Sequence, residues 1–278
     1  MNLQNVINFE LKKLFEWLCI NRLSLNISKT NFVIFHAINK IKFPITILIN
    51  NKAIQEVNYV KYLGVLIDSK LTFKPHIDEL SKKISRAIGI LQKLRYFVST
   101  KILIMVYYAI VYPFLLYGIL VWGSTSKSLL EPLFILQKKF VRLATFNSTH
   151  FGTSGPLVHS APLFYKLNLL NIFDIFKLQL GILVYESMNN IRPVCNIIKF
   201  QEVSQTHNYN TRQSSRGDIY RTFARTTRYG LNSLQTAGGV LWSSLPPYLR
   251  TSLSKNSFKR NLKVKLVSLY QLNEDSTC

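Results

Sequence analysis

The chain is poor in cysteine, in acid and in charge overall. Three cysteines, Cys19, Cys195 and Cys278, occur in 278 residues, remote from one another and with no CxxC. An odd, scattered set excludes a disulfide framework, and no histidine falls near them at ligand spacing, which excludes a zinc site. Asp and Glu together number 13, and adjacent carboxylates occur only at Asp78-Glu79 and Glu274-Asp275. Ser and His stand together only at His159-Ser160, and adjacency in sequence makes no catalytic triad. Gly238-Gly239 lacks the spacing of a phosphate loop and reads as a turn before Trp242. Glu10, Lys12, Lys13 and Glu16 interrupt the first apolar stretch, which excludes a secretory leader. The protein therefore reads as intracellular, nuclear or cytoplasmic.

What is abundant is core material and positive charge. Hydrophobic residues make up 48% of the chain, charged ones 17%, and 35 Lys plus Arg set a formal charge of +22. A folded protein with a polyanionic partner follows, nucleic acid first and an anionic membrane surface second. The excess is uneven: between residues 203 and 270, Arg212, Arg216, Arg221, Arg225, Arg228, Arg250, Lys255, Lys259, Arg260, Lys263 and Lys265 face one acid, Asp218.

The opening 70 residues read as a helix and a short antiparallel sheet. Leu3, Val6, Ile7, Leu11, Leu14, Phe15 and Leu18 recur at helical steps, as one face of a helix over 2–20. The β-rich runs 30–36, 45–49 and 59–67 follow, with a turn at Asn50-Asn51. Beyond Asp68 the period becomes helical. Ile77, Leu80, Ile84, Ala87, Ile88, Leu91 and Leu94 mark a helix over 75–95 whose other face carries Lys82, Lys83, Arg86 and Lys93. A second helix is expected from Ser99 or Thr100. A third follows Ser126 or Ser128, through Leu133, Ile135, Leu136, Phe140, Val141 and Leu143, with Lys138, Lys139 and Arg142. Gly152 to Pro156 and Pro162 mark a linker over 149–161, and 162–189 reads as one apolar helix or a pair. The fold class is α+β, divided into 1–70, 71–148 and a basic, mainly helical region over 162–278.

Residues 102–123 carry no charge, and one helix of that length would cross a bilayer core of about 30 Å. Against a membrane span, Tyr107, Tyr108, Tyr112 and Tyr117 lie through its middle and Pro113 interrupts it. A buried helix of a folded core is the favoured reading, and an anchor through 102–123 the rival.

The run Trp17 to Thr30, with Asn21, Asn26 and Lys29, followed by Phe32 to Phe35, resembles the part of a non-LTR, jockey-like retrotransposon reverse transcriptase that follows its catalytic aspartates. Val57 to Asp68, then Leu71 to Phe73 and His76-Ile77, is similar to that family's primer-grip hairpin and its entry into the thumb. Tyr107 to Gly123, Leu136 to Arg142, His207 to Arg212, Gly239 to Pro246 and Phe258 to Leu262 resemble segments downstream of the polymerase, in the family's order. The resemblance implies a partial palm over 1–70, a helical thumb over 71–148 and a basic post-polymerase region. It implies that Lys29 is the lysine of motif D, beside the leaving pyrophosphate, where a cation neutralises developing charge or donates a proton. Tyr62, Leu63 and Gly64 match the primer grip; read alone, Gly64 is a strand glycine at a close backbone approach or a bulge.

The family's paired aspartates, which hold Mg2+ in an intact member, are not matched in this chain, and Asp68 reads as a turn or cap residue. No cofactor is expected for this chain alone. It is expected to be a truncated polymerase that binds RNA and DNA without extending a primer, with the N-terminal polymerase half as a further partner and exposed apolar surface where that half would sit. The cations expected to contact nucleic acid are Lys82, Lys83, Arg86, Lys93, Arg95, Lys138, Lys139, Arg142, Arg212, Arg216, Arg221, Arg225 and Arg228. Tyr209, Tyr220, Phe223 and Tyr229, interleaved with the last five, suit stacking on RNA. A membrane protein and a domesticated RNA-binding protein are the alternatives.

Overall fold

A computed structural model divides the chain into two compact units, Met1–His76 and Ile77–Cys278. The structure describes residues 3–37, 44–145, 159–191, 200–206, 209, 211–221, 225–226 and 230–272. Cys195, Cys278, Phe223, Arg228, Tyr229, the pair Glu274-Asp275 and residues 149–158 of the expected linker lie outside this set.

The first unit is a helix, α1 (Leu3–Ile20), and six short strands: β1 (Asn31–Phe32), β2 (Leu48–Ile49), β3 (Lys52–Ala53), β4 (Gln55–Glu56), β5 (Tyr59–Tyr62) and β6 (Val65–Asp68). One antiparallel sheet was the expectation, and the chain forms three two-stranded pairs instead. β1 pairs with β4 in parallel, while β2–β3 and β5–β6 are antiparallel hairpins. Strands this short follow from turns that interrupt each run. Asn50 and Asn51 take positive φ between β2 and β3, as Asn tolerates best, and the expected turn is there.

The core of this unit is Ile47, Ile49 and Ile54, covered by Ile7, Leu11 and Phe15 of α1. Asn8 fastens α1 to β2, accepting from the Leu48 N–H at 3.0 Å and donating to the Thr46 carbonyl at 3.4 Å. The single apolar face expected for α1 is two faces. Leu3, Val6 and Leu14, assigned to the packed side, are exposed together with Phe9, Trp17 and Ile20. At 100° per residue Val6, Phe9, Trp17 and Ile20 fall on the arc opposite Leu11, while Leu3 and Leu14 flank the packed side, and all six are left exposed.

From α2 (Lys74–Leu94) onward the described chain is helical, apart from an isolated bridge between Glu202 and Ile219. Asp68 sets up the start of α2: its carboxylate accepts from the Thr72 and Phe73 N–H groups at 3.1 and 2.6 Å and from the Thr72 hydroxyl at 3.0 Å. Ile77, Leu80, Ile84, Ala87, Ile88 and Leu91 are buried, the face that the period indicates.

The uncharged stretch 102–123 is not one helix. It breaks into α3 (Thr100–Ile110), α4 (Tyr112–Leu116) and α5 (Ile119–Trp122). Pro113 starts α4, where a missing N–H costs nothing, and Gly118 at φ 63° separates α4 from α5. No helix among the described residues is long and apolar enough to cross a membrane. Tyr107 is instead fully buried, stacked on Phe140 with ring centroids 4.3 Å apart.

α6 (Lys127–Ala144) starts after Ser126 and buries Leu133, Phe140, Val141 and Leu143, whereas Ile135, expected inside, is exposed. α7 (Ser160–Lys166) and α8 (Ile172–Met188) are the pair expected over 162–189. Short α9 (Val203–Thr206) and α10 (Arg212–Ser215) lead to α11 (Leu234–Ser244), α12 (Pro247–Arg250) and α13 (Lys255–Leu272). α8 packs against α13, α11, α6 and α5, and is the centre of this unit. Gly181 permits the α8–α13 approach, since a Cβ there would lie 2.6 Å from the Leu262 side chain. The turn expected at Gly238-Gly239 is the middle of α11. A Cβ on Gly238 would meet Phe200 at 2.7 Å, and one on Gly239 the aliphatic stem of Arg221 at 2.9 Å.

Candidate nucleic-acid interface

β5 and β6 close on the pair Tyr62–Val65, leaving Leu63 and Gly64 as a two-residue turn. Both take positive φ, 44° and 83°, which is the type I′ geometry that matches strand twist. Gly64 is therefore a turn glycine and not a strand glycine. Leu63 is the anomaly: a left-handed backbone costs an ordinary L-residue about 1–2 kcal/mol. Yet its side chain is 74% exposed, beside Tyr62 at 63%. The hairpin holds two large side chains in water on a turn that Asn or Gly would form more readily.

Lys29 ends a 3-10 turn, Ile27–Lys29, just before β1. The Asn26 side chain caps that turn, accepting the Lys29 N–H at 3.2 Å, and leaves the lysine side chain exposed.

On α2, Lys82, Arg86 and Lys93 are exposed and pair with no acid among the described residues, while Lys83 pairs with Glu79. Arg95 does not belong with them. It is 7% exposed, with its guanidinium 5.0 Å from the Tyr96 ring centre. On α6, Lys139 is exposed, whereas Lys138 is half-buried, 3.2 Å from Glu131 and 4.4 Å from the centre of the Phe134 ring. Arg142 is half-buried as well, with an inward Nε. Arg212, Arg216, Arg221 and Arg225 are exposed, as are Tyr209 and Tyr220; Arg228 lies outside the described residues. On α13, burial lowers the pKa of Lys263, helped by the neighbouring ammonium of Lys259, and burial lowers that of Lys265.

Three of the scarce acids are buried and tie the second unit together. Asp174 accepts from the Tyr270 hydroxyl and pairs with Lys177 at 2.8 Å. Glu186 pairs with Lys255 at 2.6 Å, and Asp218 with Arg250 at 3.1 Å. Arg250 also donates to the carbonyls of Leu245, Arg216 and Ser243. Gln137, inside the run Leu136 to Arg142, is fully buried and donates to the Tyr107 hydroxyl at 3.0 Å and the Leu170 carbonyl at 3.2 Å. Desolvation pushes the Tyr107 and Tyr270 hydroxyls well above the ordinary tyrosine range. Gln137 was missed as structural; its signal was a polar residue one turn after Leu133 and three before Phe140, on the buried face.

Of the two readings the sequence left for Asp68, turn or cap, it is the turn residue, and His159 caps α7 while Ser160 is buried, so that pair has no catalytic geometry. Among the described residues no group of three or more His, Cys, Asp or Glu is placed to hold a metal ion. The exposed cations and rings of the second unit and, separately, the exposed turn of the first unit's β5–β6 hairpin suit contact with a polyanion.

Over 163 residues, 57% of its length, the chain is 31% identical to a probable RNA-directed DNA polymerase from transposon X-element of Drosophila melanogaster, covering 17% of it. It is 32% identical over 130 residues to the RNA-directed DNA polymerase from mobile element jockey of Drosophila funebris, 46% of this chain and 14% of that one. A probable RNA-directed DNA polymerase from transposon BS of Drosophila melanogaster matches at 32% over 98 residues, 33% of this chain and 10% of that one. The chain thus spans a small part of the length of the curated relatives it matches. No family model matches it. No solved structure matches it.

Proposed function

From this similarity to RNA-directed DNA polymerases of non-LTR mobile elements, we propose that the chain is the grip-and-clamp portion of such a reverse transcriptase. In this reading residues 1–70 are the end of the palm, 71–148 the thumb and 162–278 a basic post-polymerase region. The chain holds primer and template and does not by itself extend the primer.

The observation that carries the proposal is the β5–β6 turn. An exposed leucine held at positive φ, next to an exposed tyrosine, departs from what a hairpin turn favours, and local strain of this kind clusters where a protein grips a ligand. A primer grip presses such a hairpin on the terminal sugar and phosphate. Lys29 is assigned the motif D role, positioned to neutralise charge on a leaving pyrophosphate. Lys82, Arg86, Lys93 and Lys139 on the thumb, and Arg212, Arg216, Arg221 and Arg225 beyond it, hold the polymer backbone.

The exposed face of α1, with Leu3, Val6, Phe9, Leu14, Trp17 and Ile20, supports a partner: the polymerase portion that the relatives carry outside the matched segment. The compartment is that of the RNA, nucleus or cytoplasm.

A labelled DNA primer on an RNA template, titrated with the purified chain, tests the proposal. Six to ten phosphate contacts would weaken binding by about 10³- to 10⁵-fold between 50 and 200 mM salt, with no primer extension on added deoxynucleotides. No affinity at low salt would remove the binding claim, and extension by material free of other polymerases would remove the claim of inactivity.

A further inference from the structure

The turn that joins α2 to α3 carries two adjacent exposed aromatic side chains, and neither the fold nor the grip accounts for them. Tyr96 is 72% exposed and Phe97 86%. Two neighbouring aromatic side chains left in water forgo about 1.5–3 kcal/mol each of burial free energy. The turn is nevertheless well defined. The Arg95 and Phe97 N–H groups donate to the Leu91 and Leu94 carbonyls at 3.0 and 2.9 Å, and α3 begins at Thr100. Arg95 lies buried beneath, its guanidinium against the Tyr96 ring. The rings are held out by a rigid connection and are not the ends of a loose loop.

The surroundings of the rings specify what they meet. Lys93 precedes them and Lys101 follows, both exposed. Lys82 and Arg86 lie on the same side of α2 as Lys93, within about 40° of one another at 100° per residue, and the three span about 16 Å of helix. Gly89 falls in that stripe, and a Cβ placed there would meet no atom within 4 Å, so the helix backbone is open to close approach at that point. A row of exposed cations leading to two exposed rings fits a polyanion that itself carries flat apolar groups. A duplex hides those groups in its stack; a single strand presents them.

We propose that Tyr96 and Phe97 form a stacking platform for unpaired bases, and that the Lys82–Arg86–Lys93 stripe holds the backbone of the strand that reaches it. The proposal rests on the nucleic-acid reading above and adds to it the strandedness of the ligand and the residues that sense it.

Three fluorescent probes test it with the full chain: a 12-nucleotide oligo(A) RNA, a 12-nucleotide abasic oligodeoxynucleotide and a blunt RNA–DNA duplex. Phe97→Ala should weaken the oligo(A) complex by about 5- to 150-fold, the span measured for loss of one base–aromatic stack, and leave the abasic and duplex complexes unchanged. Phe97→Trp should restore oligo(A) binding, and Lys82→Ser with Arg86→Ser should weaken all three. Equal oligo(A) affinity of wild type and Phe97→Ala would overturn the platform while leaving the nucleic-acid reading intact. Absence of binding by the wild type to every probe would overturn both. A melting temperature lowered by Phe97→Ala would make the ring part of the core and also overturn the platform.

Discussion

Leu63→Asn separates stability from grip. Leu63 has φ 44° at the first position of the β5–β6 turn, where Asn is favoured and an ordinary side chain costs about 1–2 kcal/mol. Against that gain stands the burial the leucine now has. With 74% of the residue exposed, about a quarter of a full leucine burial is lost, roughly 0.5 kcal/mol. The net expectation is a protein more stable by about 1 kcal/mol, read as a higher urea midpoint at unchanged slope. If Leu63 is exposed because it presses on a primer end, the same substitution should weaken binding of a primer–template hybrid while leaving binding of template alone as it was. A destabilised Leu63→Asn protein would refute the strain argument. A stabilised one that binds the primer–template hybrid as tightly as wild type would refute the functional argument built on it.

Arg250→Ala should cost about 3–5 kcal/mol, because Asp218 would remain buried without its partner, and Arg250→Lys should recover little, since a single ammonium cannot reach three carbonyls and a carboxylate at once; urea unfolding of the three proteins measures both. Gln137→Leu should destabilise by roughly 1–3 kcal/mol through the Tyr107 hydroxyl it strands, and the loss should shrink in the double variant with Tyr107→Phe. The folded pKa values of Tyr107 and Tyr270 lie above those of the unfolded chain. The unfolded state therefore loses their protons first, and stability should fall as pH rises past about 10, less steeply in Tyr107→Phe, as thermal melts across pH 9–11 would record. Gly238→Ala should cost about 1–3 kcal/mol despite its better helix propensity, because the new methyl would meet Phe200 and Val184 at under 3 Å; a gain in melting temperature would show that α11 shifts freely.

The helices of the second unit were legible because each signal was local. Ser99 and Ser126 mark the residues before α3 and α6, and the buried positions of α2 repeat as the period requires. The breaks in 102–123 were half legible: Pro113 argued against a single span, while the left-handed Gly118 became visible only in the backbone. What could not be read is what depends on approach between remote segments. Gly238 and Gly239 look like a turn until Phe200 and Arg221 are laid on them. α1 looks one-faced until only Ile7, Leu11 and Phe15 are found on the β2–β3 core.

Charge shows the same division, and it changes which cations can serve a ligand. Composition alone treats every Lys and Arg between 203 and 270 as available. Arg250 is consumed by Asp218 and three carbonyls, and Lys255 by the buried Glu186. Lys263 and Lys265 are half-buried, and water is withdrawn from both. Arg95 and Lys138 are diverted in the same way, to Tyr96 and to Glu131 with Phe134. A cation that is paired or desolvated in this way adds less to the surface field than composition suggests. The cations left exposed among the described residues include Lys82, Arg86, Lys93, Lys139, Arg212, Arg216, Arg221 and Arg225. It is the distribution of such exposed cations, and not the net charge of +22, that sets the local field at the surface.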